Sequence, residues 1–113
     1  MNIEELPWKV LNQEISFDKI DNYTLYFVYS ILIELRLRLI KAREKHGDEL
    51  GESLSPIISN INKLIEEIHP KIKDMDICYA VLEASMRVAD SVSRKIFKKI
   101  LLGLYRKVKE DET

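Results

Sequence analysis

Glu66 and His69 stand three residues apart in Glu66-Glu67-Ile68-His69. This is the Glu-x-x-His spacing by which one helical turn offers a carboxylate and an imidazole to a metal in di-metal bundles. Such sites need the motif twice, aimed inward. Here it occurs once, and the apolar periodicity puts both residues on the polar side of their helix. His46, His69 and the sole cysteine, Cys78, cannot build a structural zinc site from Cys and His alone. Gly47, Gly51 and Gly103 lack the spacing of a phosphate-cradling loop, and no turn marks a serine nucleophile. Arg38 is too far from His46, and Arg43 too close, for the arginine–histidine pairing of the ribonuclease-type helical bundles. The expectation is a chain with no catalytic, cofactor-binding or metal site, and not an enzyme.

The basic residues are more informative. Arg36 and Arg43 are seven apart on an otherwise apolar helix flank. They suit two readings: stems lying on the core with heads in water, or contacts with acidic groups. Those groups would belong to a partner, or to Glu83 or the acids of 48–52. Arg87, Arg94, Lys95, Lys98, Lys99, Arg106, Lys107 and Lys109 crowd the end of the chain. They complement a helix C-terminus, form a solvated face, or contact phosphates, for which Arg87, Arg94, Lys95, Lys98 and Lys99 are the candidates. Against phosphate stand the near-neutral total, the acidic tail and an expected absence of exposed aromatics interleaved with these bases. Trp8, Tyr23, Tyr26, Phe27 and Tyr29 gather in the first third instead, as core or protein interface.

The elements that must carry these residues read as helices. Pro7 suits the start of a short one over 3–13. Asp18, Asp21 and Asn22 are capping residues ahead of a long segment, about 22–46. There, Thr24, Ser30, Glu34, Arg38, Lys41 and Lys45 share one narrow face and almost everything else is apolar. A helix apolar over more than half its circumference is central to its domain or covered by another chain. Its β-branched and aromatic first half leaves a strand over 24–33 open, but the helical pattern runs on to Gly47, a natural C-cap. After an acidic loop, Ser55-Pro56 predicts a helix start. Ile57, Ile58, Ile61, Leu64, Ile65 and Ile68 then form its stripe, and His69-Pro70 its end. Asp74 or Asp76 caps a last helix, about 75–108, whose apolar face holds Val81, Leu82, Ser85, Val88, Ala89, Val92, Ile96 and Ile100. Phe97, Leu101, Leu104 and Val108 drift around its wheel and widen the apolar surface where a partner can bind.

Composition bounds the class. Over 113 residues the chain is 46% hydrophobic and 33% charged, with three Gly and three Pro, which suits a few long helices. The net charge of −1 hides segregation: −4 over 1–35, +4 over 36–46, −5 over 47–86, +7 over 87–109 and −3 at the tail. Such a bipolar chain favours oriented contacts. One cysteine excludes an internal disulfide and points to a reducing, cytoplasmic compartment. The N-terminus lacks a secretory pattern. Glu34, Arg36 and Arg38 interrupt the oily stretch from Tyr23 to Ile40, so no membrane partner is expected. Much Ile, Lys and Glu with a single Gln leans towards a thermophile.

The long helix ending in Arg43-Glu44, the Leu54-Ser55-Pro56 restart, the Ile57–Ile68 helix and the last helix with Ser93-Arg94-Lys95-Ile96 and Lys99-Ile100 resemble the helical domain of archaeal GINS subunits. The chain departs from that family in the residues after the restart and in the Arg/Lys–Ile spacing of the last helix. The resemblance implies a non-catalytic subunit that acts within a replication assembly. Taken together, the sequence predicts an all-α fold over 1–113: one compact helical domain of three main helices plus a short N-terminal one. Its predicted role is a protein–protein interaction module, a homo-oligomer or small subunit, with Arg36, Arg43, Phe97, Leu101 and Leu104 as candidate partner contacts. The alternative is a small nucleic-acid-binding protein using the basic face of the last helix.

Overall fold

A computed structural model describes residues 3–46 and 49–111, with side chains at 49 and 108–111 left aside. All of its regular elements are helical: α1 (Leu6–Leu11), a 3-10 turn (Phe17–Lys19), α2 (Asn22–Lys45), α3 (Glu49–Ile72) and α4 (Tyr79–Asp111). Three main helices pack as a compact bundle, with the short α1 laid against them. No helix among the described residues is long and apolar enough to cross a membrane.

α1 opens with Pro7 in its first turn, where the missing N–H costs nothing. It closes with the Glu14 N–H donating to the Lys9 carbonyl at 2.8 Å and Gln13 N–H to Val10 at 3.1 Å. That pairing is a Schellman ending, and it places Gln13 in the left-handed region at φ 58° where glycine is usual. Asp21 caps α2: its Oδ1 accepts from the Thr24 N–H at 2.9 Å and its Oδ2 from the Thr24 hydroxyl at 2.7 Å. The aromatic, β-branched run from 24 to 33 is helix throughout, because seven residues along α2 are buried at helical spacing, from Leu25 to Ala42.

Several boundaries differ from the sequence reading: α1 is confined to Leu6–Leu11 within the expected 3–13, and α3 runs past His69-Pro70 to Ile72. α3 begins at Glu49 rather than at Ser55, so Pro56 and Pro70 lie inside it. Leu54, wholly buried, and Ile72, nearly so, are the reason: both reach the core only if the helix extends past the prolines. Each interior proline removes one backbone hydrogen bond at a cost of about 3 kcal/mol, and burying a Leu or Ile recovers about 1.5–3 kcal/mol. Both prolines are exposed. α4 begins at Tyr79, not near 75, and Asp74 and Asp76 do not cap it. Met75 and Ile77 are half-buried in a non-helical connection instead, and the Leu82 N–H makes the opening bond, to the Cys78 carbonyl. Gly47, expected as the C-cap of α2, lies outside the described residues.

α2 is central. α3 and α4 pack along it but scarcely touch each other. α1 fills part of the gap between them: Leu6 and Val10 are buried, and Trp8 shares a cleft with Pro56, Ile57 and Ile100. The first turn of α3 comes close against the end of α2. A Cβ on Gly51 would stand 2.5 Å from the His46 carbonyl oxygen, so only glycine fits. With 33 residues, α4 is about 50 Å long and spans the 51 Å long axis of the molecule.

Candidate interaction surface

The arginines of α2 turn to its two neighbours. Arg36 Nη1 donates to Asn62 Oδ1 at 3.0 Å and Arg43 Nη1 to Ser55 Oγ at 3.4 Å, both on α3. Arg38 turns the other way. Its Nη2 meets Asp90 Oδ1 at 2.7 Å and its Nε donates to Ser93 Oγ at 3.1 Å, both on α4. Asp90 also holds Arg94, at 3.1 Å, so one carboxylate serves two guanidiniums. Ser93 is fully buried. Arg38 was placed by its periodicity on the polar strip, and nothing in the sequence says which helix lies opposite that strip.

The phosphate candidates fall into two groups. Arg87 pairs with Glu83 at 2.6 Å, Arg94 with Asp90, and Lys95 with Glu4 at 2.5 Å. The Lys95 hydrogen bond and charge, with a smaller contribution from Lys99, hold the Glu4 carboxyl below the usual glutamate range. These pairs are exposed and add little stability. Lys98 and Lys99 are exposed, as are Arg106 and Lys107, and none of the four makes an ion pair with another described residue.

Phe97, Leu101 and Leu104 are half-buried and packed against the core; the side chain of Val108 lies outside the described residues. The large apolar side chains that reach solvent are others: Tyr79, Leu82 and Met86 on the first turns of α4, Leu102 and Tyr105 near its end, Tyr23 and Leu37 on α2, and Trp8 on α1. Leu82, expected on the core face of α4, is instead 41% exposed, and Val81 and Val88 from the same expected face are only half-buried. Tyr79, Leu82 and Met86 recur at i, i+3 and i+7, beside the buried stripe Ser85, Ala89, Val92, Ile96 and Ile100. A helix with two apolar stripes carries more than one packing face.

No group of three or more His, Cys, Asp or Glu side chains converges among the described residues. Glu66 and His69 are exposed, with the His69 ring tilted against Tyr29 at 6.2 Å. A cleft of about 490 Å³ lies between the 13–17 segment and α3, with its ionisable residues Glu14, Lys63 and Glu67 on an exposed rim. Between α2 and α4, a shallower groove of about 340 Å³ is lined by Lys41, Ala42, Lys45, His46, Phe97 and Leu101. The chain matches no protein-family model, no curated protein and no solved structure.

Proposed function

We infer that the chain is a non-enzymatic helical interaction module, working as a homo-oligomer or as a small subunit of a larger assembly. The observation that carries this reading is the exposed line Tyr79, Leu82 and Met86, with Tyr79 77% and Met86 65% exposed. Apolar side chains in a contiguous, helically spaced line mark an interaction site rather than ordinary scatter. The resemblance to the GINS helical domain supports the subunit form and names partners to look for, the other members of a replicative helicase scaffold. The test is recovery of the tagged chain from its native host after nuclease treatment, with the molar mass of the purified chain measured in parallel. Self-association or a stoichiometric, nuclease-resistant protein partner is expected. A chain that is monomeric and recovered alone overturns the reading.

The second reading is nucleic-acid binding through Lys98, Lys99, Arg106 and Lys107, exposed bases with no ion pair to another described residue. Such binding is dominated by phosphate contacts and falls steeply with salt. Its absence at low salt removes this reading.

A further inference from the structure

One stripe of α4 changes character along its length. Tyr79, Leu82, Met86, Asp90, Ser93, Phe97 and Leu101 follow one another at spacings of three and four, so they share one side of the helix. Arg38, bonded to Asp90 and Ser93, fixes that side as the one bordering α2. Towards Tyr79 the stripe protrudes into solvent. Towards Leu101 it becomes one wall of the groove whose other wall is Lys41, Ala42, Lys45 and His46.

The adjoining face of α2 is self-complementary in charge. Glu34, Leu37 and Lys41 lie on one line, and Leu37 is 46% exposed. Arg38, four residues after Glu34, is held by α4, so the natural i, i+4 partner of Glu34 is engaged elsewhere. Neither Glu34 nor Lys41 makes an ion pair with another described residue. A two-fold axis at the level of Leu37 and Arg38 reverses the helix direction and maps Glu34 onto Lys41. Because Arg38 lies level with Asp90 and Ser93, the same axis brings the level of Met86 to that of Ile96, and the level of Leu82 to that of Ile100. The protruding end of one copy then faces the groove of the other.

We propose that a second copy of this chain seats antiparallel on the α2–α4 seam. Tyr79, Leu82 and Met86 of each copy enter the groove beside Phe97 and Leu101 of the other, and Glu34 faces Lys41 twice. The interface is isologous, as two-fold dimers are. A standard interface takes about 800 Å² from each partner, about a tenth of the 7474 Å² the chain exposes. The proposal rests on the interaction-module reading and narrows it to one partner and one geometry.

Sedimentation velocity on the full chain tests it, with Met86→Arg, Glu34→Lys and Lys41→Glu, the folding of each variant checked by circular dichroism. The wild type is expected to dimerise, and each variant to weaken dimerisation by about tenfold or more. An equimolar mixture of the Glu34→Lys and Lys41→Glu chains is expected to recover the dimer, because each copy then meets the opposite sign at both positions. A monomeric wild type overturns the proposal; if it nevertheless holds a stoichiometric host protein, the interaction-module reading survives. A dimer indifferent to all three variants also overturns the seam while leaving self-association intact.

Discussion

Along α2, the side facing α3 and the side facing α4 are built from different chemistry. Towards α3, the guanidiniums of Arg36 and Arg43 meet a neutral amide and a hydroxyl, and Gly51 lets the first turn of α3 close against the end of α2. Towards α4, Arg38 meets a carboxylate that Arg94 also engages, and exposed apolar side chains continue the same α4 stripe. Both seams are packed along their length, but the α4 seam adds an ion pair at one level and exposed apolar side chains at the Tyr79 end. The proposed partner surface accordingly lies beside the Arg38–Asp90 pair rather than at the basic end of α4.

The sharpest way to test this contrast is truncation on each side. Ile61→Ala on α3 removes a fully buried side chain and is expected to cost about 2–5 kcal/mol. Met86→Ala on α4 is expected to change the stability of the monomer by no more than about 0.5 kcal/mol. Denaturant unfolding of both variants at low protein concentration measures the pair; equal costs would erase the distinction.

Gly51→Ala attacks the α3 seam at its first turn. The added methyl meets the His46 carbonyl oxygen at 2.5 Å, and the required backbone shift is expected to cost about 1–3 kcal/mol. A thermal midpoint equal to wild type would show that the turn has slack.

Asp90→Ala breaks the ion pair of the α4 seam. Arg38, whose side chain is only 26% exposed, keeps Ser93 but loses its counter-charge. The expected loss is about 1–2 kcal/mol, measured by the same unfolding curves. Asn62→Ala, the corresponding change on the α3 side, is expected to cost about 1 kcal/mol, as a single hydrogen bond does.

The smallest expected effect is at the foot of α2. The Thr24 hydroxyl first, and the Thr24 amide second, hold the Asp21 carboxyl below the usual aspartate range. A carboxylate depressed by folding contributes fully above its unfolded value and loses that contribution as pH falls through the folded one. Asp21→Asn is therefore expected to lower the melting temperature slightly at neutral pH and to lose less than wild type on acidification below about pH 4. Parallel curves for the two chains down to pH 2 would remove Asp21 from the acid response.

Much of this was legible in the sequence. The three long helices, the Asp21 cap, the central position of α2 and the buried stripes of α3 and α4 follow from periodicity and from one short polar residue in the right place. The start of α3 was not legible, because Ser55-Pro56 is a strong local signal and only the tertiary burial of Leu54 outweighs it. The left-handed Gln13 has no glycine to announce it. Of the candidate contacts, Arg36 and Arg43 turned to Asn62 and Ser55, and Phe97, Leu101 and Leu104 became half-buried walls rather than protrusions. Sequence shows that a side chain shares a face, but not which helix that face meets. The exposed Tyr79–Leu82–Met86 line was not legible: periodicity put Leu82 on the core face, and only the position of α2 decides which side of α4 the core takes.

That α3 and α4 both rest on α2 while scarcely touching each other has a kinetic consequence. The α2–α3 hairpin is local in sequence and closes through a short turn, so it can assemble early and without α4. Either outer helix can then detach while the other stays docked, which divides the molecule into separately opening units. Amide hydrogen exchange should rank the helices by this order, with the buried face of α2 slowest because both openings must occur before it is released.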